Sequence, residues 1–347
     1  MLMLKKLRQW MKNARSLSLV QSLMPAILAV VLAIGAEGFN LALAILSCLG
    51  VACAHLGMNL ADDYFDYKAD MLSDRDRVIR KGFRAMMVKY PYLTDGSETL
   101  RSLGRAIAAF IAAALACGAV IFTVRSIQNG VFTQNGTWLI LALTLCCAFL
   151  GVFYSAPPLK LAYRGFGELV IGFIFGPLLM MGVYYSTAGK IDMQLVMVSI
   201  PVGLLVLNIL FTHSFIERKG DAESNKKTLA LLLGSDKACM AVSLLINFLP
   251  YLMIALACLC GQLHYAYLAV FLVLPRSIWL CRSLYSFIRG DVDIIERPPR
   301  YMGNMMDWEG IKEASIGWFM GRWLASRNIL SAFCAVISIV AIILLFV

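Results

Sequence analysis

Apolar residues along this chain fall into runs of about twenty, separated by shorter polar stretches, with neither the two-residue alternation of a half-buried strand nor the single apolar stripe of a surface helix. The runs lie at roughly 17–36, 40–60, 106–124, 138–154, 168–187, 194–215, 238–260, 263–286 and 329–347. A helix rises about 1.5 Å per residue and the hydrocarbon core of a bilayer is about 30 Å thick, so each run is long enough to cross it. The pattern predicts an all-α, polytopic membrane protein, a bundle of nine transmembrane helices. Composition agrees: with 60% hydrophobic and 15% charged residues among 347, the chain has more apolar surface than one soluble core can hide.

Charge changes the picture by giving the bundle an orientation. Basic residues gather in the loops after the second, fourth, sixth and eighth runs: Lys68, Arg75, Arg77, Arg80, Lys81, Arg84 and Lys89; Lys160 and Arg164; Arg218, Lys219, Lys226 and Lys227; Arg289, Arg297 and Arg300. The alternate loops hold only Arg125 and Lys190. The positive-inside rule then puts the N-terminus in the cytoplasm and the C-terminus outside. The net charge of +10 is explained by this segregation, so no nucleic-acid partner is expected. Lys5, Lys6, Arg8, Lys12 and Arg15 precede an apolar run too long for a signal-peptide core, which reads as an uncleaved first helix. The ten cysteines lie mostly within apolar runs without paired spacing and indicate neither a disulfide framework nor a zinc site. The whole of 1–347 reads as one integral membrane domain with two long cytoplasmic connections, about 71–101 and 287–325. The second holds Trp308, Ile311, Ile316, Trp318 and Phe319 and is either an amphipathic interfacial helix or a solvated linker.

Candidate chemistry sits where the second run ends, in NLADDYFDYKAD from Asn59 to Asp70. If the helix continues past Leu60, then Asn59, Asp62, Asp63, Asp66 and Asp70 form one stripe on one face, at three- and four-residue steps apart from the adjacent pair. At the bilayer centre each charge would cost about 2.5–3.5 kcal/mol. Four together would cancel about the whole stability of a typical domain. The stripe is therefore expected to face a wet cavity at the cytoplasmic end and to hold cations; the alternative is a solvated helix end that happens to be acidic. The sixth run ends in HSFIERKGDAESNKKTLA, where His213, Glu217 and Asp221 again lie four residues apart. Carboxylate oxygens from two helices, with positions left open, suit Mg²⁺ shared with substrate phosphates, and Lys226 and Lys227 add positive charge for the same anion.

These residues resemble the UbiA superfamily of intramembrane prenyltransferases. Its first signature, Asn/Asp-Asp-x-x-Asp-x-x-x-Asp, is matched by Asp62, Asp63, Asp66 and Asp70; its second, Asp-x-x-x-Asp before a basic Thr-Leu-Ala segment, looks like Glu217 to Asp221 followed by KKTLA. The resemblance covers about residues 14–285. The stretch YSAPPLKLAYRGFGELVIGFIFGPLLMMGVYY, from Tyr154 to Tyr185, looks most like the menaquinone branch, whose members prenylate 1,4-dihydroxy-2-naphthoate. Departures are Glu217 in place of the first Asp of the second motif, His213 and Ser214 where that branch commonly has Asn, and Asn225 in place of a Gly.

The resemblance implies Mg²⁺-dependent transfer of a polyprenyl group from its diphosphate to an aromatic acceptor, in a bacterial inner membrane. Asp62, Asp63, Asp66, Asp70, Glu217 and Asp221 would hold metal, with Asp66, Asp70, Glu217, Asp221 and Tyr154 catalytic. Asn59, Arg77, Arg80, Lys81, Lys160, Arg164, His213, Lys226 and Lys227 would bind substrate. Each has a plainer role to weigh: the basic loop residues set topology, Tyr154 anchors at the interface, and His55 and His213 are packing histidines. Gly172, Gly176, Pro177 and Gly182 permit either close helix packing or a groove for the prenyl tail. A secondary transporter would place its acids near mid-membrane instead, and a noncatalytic relative would explain the departures in the second motif.

Overall fold

The computed structural model describes residues 2–71, 90–222, 227–291 and 296–347. Among them, nine helices are long and apolar enough to cross a membrane: Ser16–Ala33, Leu41–Lys68, Leu100–Asn129, Trp138–Ser155, Gly167–Ala188, Met193–Ile216, Asp236–Leu259, Tyr265–Ile288 and Gly317–Ile343. The protein is an all-α membrane bundle, and the first eight expected runs coincide with these helices. The second helix runs unbroken from Leu41 to Met71, through the acidic stripe, because no Gly or Pro follows Gly57 to interrupt it.

The chain divides into two compact units. The first comprises the N-terminal segment, the first four spans and Leu178–Ile191 of the fifth. A basic helix, Leu2–Asn13, precedes the first span and buries Trp10, which packs edge-on against Tyr92 with ring centroids 6.0 Å apart. These two side chains share a core with Ala14, Leu56, Leu60 and Leu103. The third span starts on a capping box in which Thr99 and Ser102 satisfy each other's backbone N–H groups. At the other end of the same span Arg125 is buried, donating to the carbonyls of Ser186 (3.0 Å), Thr187 (2.6 Å) and Gly38 (3.0 Å) and to Gln128 (2.7 Å). Four acceptors explain how a guanidinium is tolerated buried at this end of the third span: it ties that end to the last turn of the fifth span and to the connection between the first two.

The second unit holds Leu161–Pro177 of the fifth span and the sixth to ninth spans, with the sixth the most enclosed of the described helices. The fifth span contains a π-turn at Ile174–Leu178 around Pro177, which absorbs the missing N–H and the steric bulk of the ring. The backbones of the fifth and sixth spans touch: a Cβ on Gly172 would lie 2.8 Å from the Gly203 carbonyl oxygen, and one on Gly176 2.8 Å from that of Ser199. Gly172 and Gly176 are thus packing glycines, whereas nothing lies within 4 Å of a Cβ on Gly182.

The ninth span differs from expectation. Its helix begins at Gly317, inside what the sequence marks as a long connection, rather than at about 329. The charges of Arg322 and Arg327 hide the continuity, yet both are buried. Arg322 donates to the carbonyls of Ser283 (3.2 Å) and Trp318 (2.5 Å) and lies over the Phe287 ring; Arg327 donates to Asn328 Oδ1 at 3.2 Å. The aromatics of that connection form no extended interfacial helix. Trp308 and Ile311 are buried from a six-residue helix, Trp308–Glu313, while Trp318 and Phe319 belong to the last span.

Candidate functional site

In the first unit the stripe stands on the continuation of the second span past Leu60. Asn59 faces the N-terminal segment: its amide donates to the Ala14 carbonyl and to Ser18 Oγ, both at 2.9 Å. Arg15 returns to the Asn59 carbonyl at 3.1 Å. His55, one turn earlier, has Ser22 Oγ 2.7 Å from Nδ1 and Ser18 Oγ 3.1 Å from Nε2, so two hydroxyls fix its ring. These contacts describe a clasp between the first and second spans.

The next turn carries the paired aspartates. Arg15 Nη2 lies 3.1 Å from Asp63 Oδ1 and 3.6 Å from Asp62 Oδ2. The Tyr92 hydroxyl donates to Asp63 Oδ2 at 2.8 Å, and the Ser155 hydroxyl donates to Asp62 Oδ1. Desolvation opposes the charge of Arg15, but Asp63 and then Asp62 outweigh it and hold the guanidinium above its ordinary pKa. Burial, and then the negative Asp63, push the Tyr92 phenol well above its usual range, so it is a neutral donor at any physiological pH. Asp66 is buried one turn further on. Tyr154 is half-buried and precedes Ser155, which places it beside this cluster in sequence; Lys160 is exposed just past the fourth span. The helix backbone continues through Asp70, whose side chain lies outside the described residues, as do Arg77, Arg80, Lys81 and Arg84.

In the second unit the end of the sixth span carries Glu217 and Asp221, exposed by only 2% and 1%. Backbone bonds Glu217 N–H to His213 O (3.0 Å) and Asp221 N–H to Glu217 O (2.8 Å) continue the helical repeat, so the three residues share one face as their spacing predicts. His213 is half-buried and meets Phe319 edge-on at 5.0 Å. Arg218 is engaged by Asp236 and by the Gly234 carbonyl at 3.2 Å. An isolated parallel backbone bridge joins Arg164 to Lys227, bringing together two exposed cationic residues from separate motifs. Lys226 and Asn225 lie outside the described residues.

Several contributors were not picked out from the sequence. Glu168, buried in YRGFGE, accepts the Ser214 hydroxyl at 2.7 Å and the Leu229 N–H at 3.1 Å. A lone acid opening an apolar run was its only signal. Tyr92, Ser155 and Ser18 gave none, because their partners are remote in sequence.

Among the described residues no group of three or more His, Cys, Asp or Glu side chains is arranged to hold a metal. The donor chemistry nonetheless fits a hard divalent cation. Two nearly fully buried carboxylates one turn apart, Glu217 and Asp221, repel one another, and oxygen donors of this kind are what Mg²⁺ takes. In the first unit, Asp62 and Asp63 share Arg15, and Asp66, buried one turn further on, adds a third carboxylate to the same helix.

Comparison with known proteins bears on this chemistry. A model of the family described as UbiA prenyltransferase family matches residues 22–293. A 2-carboxy-1,4-naphthoquinone phytyltransferase of Synechocystis sp. is 33% identical over 150 residues, which span 43% of this chain and about half, 48%, of that protein. A 1,4-dihydroxy-2-naphthoate octaprenyltransferase of Bacillus subtilis is 24% identical over 278 residues, covering 79% of this chain and 80% of that protein. A solved structure of a UbiA homolog from Archaeoglobus fulgidus bound to GPP and Mg2+ has the same fold, with a TM-score of 0.56 at 18% identity over 96% of this chain and 99% of that one. A structure of digeranylgeranylglyceryl phosphate synthase is similar at a TM-score of 0.57 and 16% identity, over 96% of this chain and 99% of that one.

Proposed function

Since the chain belongs to the UbiA prenyltransferase family, we propose that this membrane prenyltransferase takes a polyprenyl diphosphate as donor and a naphthoate-class aromatic acceptor, 1,4-dihydroxy-2-naphthoate above others, with Mg²⁺ as cofactor. The observation that carries the reading is the buried pair Glu217 and Asp221 in the unit where Arg164 and Lys227 are bridged: anionic groups for a metal, cationic groups for a diphosphate. The names of the Synechocystis and Bacillus relatives support the acceptor class.

Asp66 and Asp70 in one unit, and Glu217 and Asp221 in the other, would hold Mg²⁺. Bound there, Mg²⁺ supplies positive charge that stabilises a departing diphosphate. Arg164 and Lys227 are the second unit's cations for that leaving group, and Lys160, Arg77, Arg80, Lys81 and Lys226 are further cations the sequence offers for a diphosphate. The allylic C–O bond breaks with its electron pair leaving on the diphosphate. The Tyr154 ring presents a π face to the allylic cation, and an electron-rich ring carbon of the acceptor forms the new C–C bond. The acceptor regains aromaticity by losing a proton, or carbon dioxide where the attacked carbon bears a carboxylate. We place the enzyme in a bacterial inner membrane with its N-terminus in the cytoplasm, as its loop charges favour.

Incubating purified protein with Mg²⁺, a labelled polyprenyl diphosphate and a panel of aromatic acceptors tests this. One prenyl group should be added, with the naphthoate preferred. Release of diphosphate without prenylation of any aromatic would overturn the acceptor reading, and no consumption of the diphosphate would overturn the donor.

A further inference from the structure

Glu168 is buried in the first turn of the fifth span. Its Oε1 accepts from Ser214 Oγ at 2.7 Å and from the Leu229 N–H at 3.1 Å, with Oε2 3.3 Å from the same N–H. One carboxylate thereby ties together three stretches of the second unit. They are the start of the fifth span, the last turn of the sixth, three residues before Glu217, and the KKTLA segment, two residues past Lys227.

The same segment is fastened around this point by other means. Arg164 and Lys227 are joined by their backbones, Gly165 at φ +84° lies against Leu232 where any Cβ would collide, and Thr228 Oγ1 accepts the Leu231 N–H at 3.4 Å. A buried carboxylate is costly to desolvate, and its hydrogen bonds are about twice as strong as neutral ones. A neutral side chain would fold this corner at lower cost but would hold the segment less firmly.

We propose that Glu168 is a positioning residue for the diphosphate: it locks the segment 227–230 onto the sixth span so that Lys227 and Arg164 are presented together to one leaving group. The proposal rests on the diphosphate-donor reading above. Glu168 is buried, with its carboxylate turned to Ser214 and Leu229, and acts through Lys227.

Glu168→Gln is the sharpest test, because it keeps the shape and the Oε1 acceptor but removes the charge and puts an N–H donor in place of Oε2, 3.3 Å from the Leu229 N–H, which weakens that bond. Its KM for polyprenyl diphosphate, and its dissociation constant for inorganic pyrophosphate with Mg²⁺ in the absence of acceptor, should rise about tenfold. The KM for the acceptor should stay within about twofold, and the Leu229 amide should exchange faster. In a Lys227→Ala background the same substitution should add little, since two changes acting through one contact are not additive. A role confined to folding would lower the yield of folded protein without this split.

An unchanged diphosphate KM in Glu168→Gln, or full additivity with Lys227→Ala, overturns the proposal and leaves the donor reading standing. If Glu168→Gln does not fold, Ser214→Ala replaces it; it frees the carboxylate from the sixth span and should raise the same KM about threefold. No change there also overturns the proposal. A parent protein that neither binds pyrophosphate nor consumes the polyprenyl diphosphate overturns the donor reading and the proposal together.

Discussion

At the scale of single residues, the acidic positions divide by what surrounds them. Asp63 is held by Arg15 on one oxygen and by Tyr92 on the other, and a buried carboxylate stripped of a donor is left with an unmet desolvation cost. Tyr92→Phe should therefore lower stability by about 1–3 kcal/mol, read as a fall in thermal midpoint in detergent. An unchanged midpoint would mean that the phenol does not hold the carboxylate. Glu217 poses a different question, since it stands where the family's second motif has Asp. Glu and Asp carry the same charge and the same oxygens, but Glu sets them one methylene further from the backbone, so a ligand role depends on length as well as charge. Glu217→Gln should abolish Mg²⁺-dependent prenyl transfer, as Asp221→Asn should, while Glu217→Asp retains activity with a higher Mg²⁺ requirement. If Glu217→Gln follows the parent across a Mg²⁺ titration, Glu217 is not a ligand and the second motif is degenerate.

At the scale of elements, the fifth and sixth spans meet at Gly172, Gly176 and Gly203. Backbone meets backbone there, so a side chain has no room to yield. Gly176→Val should abolish folded protein, judged by monodispersity on size exclusion, whereas Gly182→Ala, with nothing within 4 Å of its Cβ, should be neutral. A monodisperse Gly176→Val would mean that the two helices do not touch as described. The same elements show why much of the architecture was legible in the sequence. Hydropathy over about twenty residues is a physical requirement of the bilayer, so eight spans could be read from it directly. The start of the ninth could not, because Arg322 and Arg327 lower the local hydropathy while their charges are satisfied by remote acceptors such as the Ser283 carbonyl and Asn304. The acidic stripes were legible as periodicity, at steps that the helix from Leu41 to Met71 turns into one face. The clasp of Arg15, Ser18, Asn59, Tyr92 and Ser155 was not, since each contact joins residues 29 to 93 positions apart, with Arg15–Asn59 at 44 and Asn59–Ser18 at 41. No local pattern encodes such pairs.

At the scale of the whole molecule, charge segregation favours one orientation of the spans in the membrane. Translocating a loop rich in Lys and Arg is disfavoured, and the loops after the second, fourth, sixth and eighth spans are the rich ones. Arg125, the main exception, is not a free loop charge: it is buried against the carbonyls of Ser186, Thr187 and Gly38 and so does not weigh against the orientation. Both acidic helix ends follow even-numbered spans, so the same rule favours the cytoplasmic face for both. The chain offers its own reporter, because Cys260 is exposed and follows the seventh span, on the opposite side. In intact cells a membrane-impermeant maleimide should label the parent but not Cys260→Ser. In the Cys260→Ser background, Ser97→Cys, at an exposed position before the third span, should react only after the membrane is permeabilised. Labelling of Ser97→Cys from outside in intact cells would invert the topology. It would also put both acidic helix ends on the outer face, and the proposed orientation of the site would fall with it.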